Sequence, residues 1–103
     1  MTTYIVSRHA GALAWLEAQG VVADCQVEHL EPERIQPGDC VIGILPINLA
    51  AQVCARGGRY LHLAMHLPRE WRGRELSMEE MMCCHVQLAE FDIQTRTTRE
   101  PCA

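Results

Sequence analysis

Residues 40–45 read Cys40-Val41-Ile42-Gly43-Ile44-Leu45, an apolar run without a polar face that Pro46 closes. Successive side chains of a strand point to opposite sides. A strand apolar at every position must therefore be covered on both sides. Sheets covered that way are the parallel ones, whose crossover helices pack on both faces. The run is strand-length and bounded by turn residues, with Pro37-Gly38-Asp39 before it. This one segment asks the rest of the chain to alternate strands with helices.

The remaining sequence meets that demand. Thr3-Tyr4-Ile5-Val6 is a β-type run. A helical pattern follows over 9–19, with Ala12, Leu13, Trp15, Leu16 and Ala18 apolar and Gly20 as the stop. A second strand is predicted over 25–30, and residues 31–38 leave room for one helical turn. After the 40–45 strand, a helix over 48–56 places Leu49, Ala50, Val53 and Cys54 on one stripe and ends at Gly57-Gly58. Residues 60–64 form a fourth strand. Ser77-Met78-Glu79-Glu80 is a capping box, so a last helix is predicted over 78–91. The prediction is a single α/β domain over residues 1–92, a small doubly wound, mostly parallel sheet of strand order 2-1-3-4. A polar tail over 93–103 is expected to be partly disordered.

In that order the crossovers after strands 1 and 3 leave on opposite faces. A crevice then opens between the C-terminal ends of those strands, where ligands of such sheets bind. Two loops meet there. The first is Ser7-Arg8-His9, a hydroxyl, a guanidinium and an imidazole at the start of a helix. Helix-start N–H groups favour anions, Arg offers a planar fork of donors, and His moves protons near neutral pH. The alternative is that Ser7 only caps the helix and Arg8 and His9 are solvated. The second loop is Leu45-Pro46-Ile47-Asn48. Asn48 is either a plain N-cap or a reader of phosphate or base edges. Gly43 in mid-strand calls for something packed closely against it. His66, beyond strand 4, approaches from the same end of the sheet, with a surface histidine as its alternative.

Composition narrows the function. Net charge is −4, against coating of long nucleic acid, and all nine basic residues are Arg. That balance suits a compact phosphate ligand better than a polymer. The apolar runs are too short for a membrane span, and Met1-Thr2-Thr3 does not open a signal peptide. The expectation is a cytoplasmic protein. The six cysteines include an adjacent pair, Cys83-Cys84, and lack C-x-x-C spacing, so neither a disulfide framework nor a zinc site is expected. No cofactor is expected: there is no G-x-G-x-x-G after strand 1, no P-loop, and Asp24, Asp39 and Glu75 are scattered.

The ordered set Val6-Ser7-Arg8-His9, Pro37-Gly38-Asp39, Val41-Ile42-Gly43-Ile44-Leu45-Pro46, Leu49-Ala50-Ala51 and Arg72-Gly73-Arg74-Glu75-Leu76-Ser77 resembles a small stand-alone family of CRISPR-associated proteins of type III systems. The resemblance spans nearly all of residues 3–91. It implies a Rossmann-like domain related to the CARF domains that sense cyclic oligoadenylates. It also implies a ring nuclease that degrades this messenger, typically cyclic tetraadenylate, and switches off the antiviral response. Under that reading Arg8 stabilises phosphoryl charge, His9 handles protons and Ser7 positions. Ser7, Arg8, His9, Gly43, Leu45, Pro46, Asn48 and His66 are the candidate ligand contacts, and no metal is expected. A homodimer that pairs two crevices suits a ring with a two-fold axis. A protein that sequesters the ring without cutting it, or a subunit-contact module, uses the same residues and remains open.

Overall fold

A computed structural model of the chain describes residues 1–7, 9–66, 68–73 and 76–96. It contains a five-stranded sheet of order β2-β1-β3-β4-β5. The strands are β1 (Thr3–Val6), β2 (Cys25–Val27), β3 (Cys40–Gly43), β4 (Arg59–Ala64) and β5 (Gln87–Phe91). Strands β1 to β4 run parallel, with Tyr4 opposite Val41 and Val41 opposite Tyr60. The helices are α1 (Ala10–Ala18), α2 (Ile47–Ala55) and α3 (Met78–Met82). The expected order 2-1-3-4 holds, and β3, buried at every position, lies at its centre.

Strand alternation sends two apolar sets to opposite faces. Ile5, Ile42 and Leu63 meet α1 through Ala12, Trp15 and Leu16, and α3 through Met81. Tyr4, Val41 and Tyr60 meet α2 through Ala50 and Val53, with Ile35 beside the 3-10 turn at Pro32–Arg34. The helices after β1 and β3 thus cover different faces, which creates the switch point the sequence called for.

Several boundaries differ from the sequence reading. The helix expected over 78–91 ends at Met82. Its capping box forms, with Ser77 and Glu80 exchanging bonds, but His85 takes φ 52° and turns the chain. Residues 87–91 then pair antiparallel with β4 as β5. Leu88 packs on the α1 face and the backbone of β5 covers the β4 edge, so pairing overrides the helical start. β2 and β3 stop earlier than expected, at Val27 and Gly43, which frees residues 28–30 and 44–46 as loop. Neither expected cap is the cap. His9 caps α1, while Ser7 Oγ accepts the His9 backbone N–H at 3.0 Å. Pro46 occupies the α2 cap position, which places Asn48 within the first turn. At the start of the tail, the Ile93 N–H donates to Cys54 Sγ at 3.4 Å. Residues 97–103 lie outside the described residues.

Asp39 ties the sheet's N-terminal end together. Its carboxylate accepts from the Thr2 and Gln36 N–H groups, each at 2.9 Å. Gln36 first and Thr2 second hold this carboxyl below its ordinary 3.8.

Candidate functional site at the sheet switch point

At the C-terminal ends of β1 and β3 a crevice of about 650 Å³ opens. Val6, Ser7 and His9 line it from the β1 side, and Glu28, His29 and Leu30 from the end of β2. Ile44, Leu45, Pro46 and Leu49 line it from the β3–α2 side, and Gly73 closes it. Its volume falls within the usual range for small-ligand sites. A second recess of about 270 Å³ adjoins it. Val6, Ser7, His9 and Ile44 line both.

The β1–α1 turn is locally organised. Ser7 Oγ accepts from the His9 N–H, which leaves its own proton for another acceptor. The His9 ring meets two backbone donors. Nδ1 faces the Ala12 N–H at 3.2 Å, and Nε2 faces the Leu76 N–H at 2.8 Å. A neutral imidazole has one bare nitrogen, so the ring satisfies one of these donors at a time. His9 therefore either caps α1 or fastens the segment before α3 to it, according to its tautomer.

Close packing supports that junction. A Cβ on Gly11 would overlap the Leu76 carbonyl oxygen. Gly43 serves the neighbouring strand in the same way. Its Cβ would lie 2.7 Å from the Val6 carbonyl oxygen, so only glycine lets β3 reach its end beside β1.

The β3–α2 loop hangs from a strand two removed from β1. Tyr60 Oη donates to the Gly43 carbonyl at 3.2 Å and accepts the Leu45 N–H at 2.9 Å. It also lies 2.7 Å from His62 Nδ1. Burial pushes the Tyr60 phenol up from its ordinary 10.0, opposed by the Leu45 N–H. Beyond this loop, α2 has no side-chain cap. Among the described residues the Ile47 and Asn48 N–H groups have no partner, so they carry the open positive end of the helix.

Of the residues singled out in the sequence, Ser7, His9, Leu45 and Pro46 converge on the crevice. Gly43 lines the adjoining recess. Asn48 is exposed and does not line either. His66 is exposed, sits against His85 with ring centroids 6.2 Å apart, and lines neither the crevice nor the recess. Arg8 and Arg74 lie outside the described residues. Glu28 and His29, which line the crevice, and Tyr60, which holds the loop beside it, were not anticipated. Among the described lining residues none is Arg, so the polar groups are Ser7, His9, Glu28, His29 and backbone. Among the described residues no group of three or more His, Cys, Asp or Glu is placed to hold a metal ion. No helix of the described residues is long and apolar enough to cross a membrane.

The fold and the crevice define a small Rossmann-like α/β protein with an open crevice at its switch point. Residues 4–94 match the family described as "Putative CRISPR-associated protein (Cas_VVA1548)", and the chain belongs to that family. No curated protein and no solved structure matches the chain.

Proposed function

We infer that this protein binds cyclic oligoadenylate, with cyclic tetraadenylate the preferred ring, and opens it as a ring nuclease of type III CRISPR signalling. Two things support this reading: membership of a CRISPR-associated family and a crevice of about 650 Å³ at the switch point. The observation that carries it is the N-terminus of α2, which has no side-chain cap and adjoins the crevice through Pro46 and Leu49; its first N–H groups, without partners among the described residues, suit a phosphate. Arg8 adds a guanidinium from the other loop.

The chemistry needs no nucleophile from the protein. The ribose 2′-oxygen bonds to its neighbouring phosphorus, and the bond from phosphorus to the next 5′-oxygen breaks. The 2′-proton leaves to a base and the 5′-oxygen gains one, giving a 2′,3′-cyclic phosphate and a 5′-hydroxyl. The protein's work is in-line positioning and stabilisation of phosphoryl charge. Ser7 donates to a phosphoryl oxygen, Arg8 balances its charge, and His9 or His29 moves the proton. A homodimer presenting two crevices to one ring is the working unit.

Backbone donors facing both His9 nitrogens favour a second reading, in which the crevice holds the ring without cutting it. One experiment separates the two. Labelled cyclic tetraadenylate is titrated with protein in excess, with and without EDTA, and the products are resolved. Cleavage to a 2′,3′-cyclic phosphate end that survives EDTA supports the nuclease. Tight binding of an intact ring establishes sequestration, and no binding removes both. Arg8→Ala should weaken binding and cleavage together, by roughly ten- to a hundredfold for one charge-assisted bond. His29→Ala should slow single-turnover cleavage by roughly a hundredfold if His29 carries the proton. Light scattering that finds only monomer with ring bound would refute the dimer.

A further inference from the structure

A recess of about 320 Å³ lies beside the crevice on the α2 face of the sheet, lined by Leu45, Ile47, Tyr60, His62, Phe91 and Ile93. Leu45 lines both spaces. Pro46 lines the crevice and Ile47 the recess, so one short segment separates them. The walls are almost wholly apolar, and two of them stand open to solvent. Ile47 is 73% exposed and Phe91 47%. Ala89 opposite His62 leaves room above the strand.

The polar group in this recess has a defined sense. Tyr60 Oη has one proton and three neighbours: the Gly43 carbonyl, the Leu45 N–H and His62 Nδ1. The carbonyl only accepts, so placing the phenol proton there is the arrangement that gives all three neighbours a bond. For the 2.7 Å contact to hold a proton, His62 Nδ1 must then donate it. In the neutral ring that leaves Nε2 as a bare acceptor, and among the described residues no hydrogen bond to it is formed. Phe91 packs edge-on to the His62 ring at 5.8 Å, which holds it in place.

We propose that this recess takes one base of the bound ring, an adenine, with His62 Nε2 accepting from its exocyclic amine and Phe91 offering aromatic surface. The inference rests on the reading of the crevice as a cyclic oligoadenylate site. A flat aromatic base matches an open apolar slot with aromatic walls. An acceptor aimed at the position of an amine rejects a base that carries a carbonyl oxygen there. Two acceptors then face each other and neither is satisfied.

Binding of cyclic tetraadenylate is compared with binding of its inosine counterpart, in which each amine is a carbonyl oxygen. The wild-type protein should prefer the adenine ring by about tenfold or more. His62→Phe, which keeps an aromatic ring and lacks the acceptor, should bind the two rings within about twofold of each other. Phe91→Ala, at an exposed position, should weaken both by about tenfold. Equal binding of both rings by the wild type, or a preference that survives in His62→Phe, overturns the base subsite and leaves the crevice reading intact. Binding of neither ring overturns the crevice reading and the subsite with it. Should His62→Phe fail to fold, an unchanged affinity in Phe91→Ala overturns the subsite by itself.

Discussion

Replacing Tyr60 by Phe removes one oxygen atom and no packing volume. Tyr60 is 1% exposed and its ring sits in the α2-side core, so Phe fills the same space. What goes is the hydroxyl's hold on three groups: the Leu45 N–H at 2.9 Å, the Gly43 carbonyl at 3.2 Å and His62 Nδ1 at 2.7 Å. A typical bond of this kind contributes about 1 kcal/mol net, and a donor left buried and unpaired costs about 1–3 kcal/mol. The sum is about 2–4 kcal/mol, a large part of the roughly 5–15 kcal/mol that holds such a domain folded. For a chain of this size that lowers the melting temperature by about 10–20 °C. Urea denaturation followed by far-ultraviolet circular dichroism should show a lower midpoint at an unchanged slope. An ultraviolet titration gives an independent readout. Burial holds the Tyr60 phenol above its ordinary 10.0, so this late-titrating tyrosine should be missing from the variant. A stability loss under about 0.5 kcal/mol would mean the Leu45 loop is held by something else, and the account of the loop would fall.

Two further outcomes follow from the packing and the carboxylates. Gly11→Ala drives a methyl into the Leu76 carbonyl, so it should cost about 1–3 kcal/mol or more despite alanine's better helix propensity; a stabilised variant in the same urea assay would refute the close approach of α1 to residue 76. The Gln36 and Thr2 N–H groups hold Asp39 below 3.8, and Arg59 holds Glu90 below 4.5. Both carboxyls are depressed by folding, so their stabilisation is full above the unfolded values and fades as pH falls through the folded ones. Urea midpoints should stay level from pH 7 to about 5 and decline below about 4. Asp39→Asn should flatten that decline, and an undiminished acid dependence in the variant would count against the assignment.

The sequence showed most where local pattern and tertiary demand agree. The 40–45 run is apolar on both sides because its strand is central. That fact implied helices on both faces and, through the crossovers, the place of the crevice. The turn after β1 was legible for the same reason, since a strand end feeding a helix start is a local event. Where local signals competed with a neighbour, the reading failed. Ser77 and Glu80 do start a helix, yet residues 87–91 are claimed by the edge of β4, a preference written in no window of the sequence. Ser7 and Asn48 both look like caps, but His9 reaches its own Ala12 N–H and Pro46 takes the earlier position.

The Tyr60–His62 pair was hidden for a different reason. Two residues apart on one strand, they share a face by simple alternation, and that much is visible in Tyr60-Leu61-His62-Leu63. A tyrosine among leucines reads as core, and its ring is core. Only its oxygen does something else, and its backbone partners Leu45 and Gly43 lie 15 and 17 residues away. The parallel register of β3 on β4 brings them together, since Gly43 pairs with His62. The hydroxyl thereby meets the two backbone groups that β3 can no longer pair once it stops at Gly43. Ending β3 two residues earlier than its apolar run frees residues 44–46 for the crevice, and Tyr60 supplies the hydrogen bonds that the lost strand residues would have made.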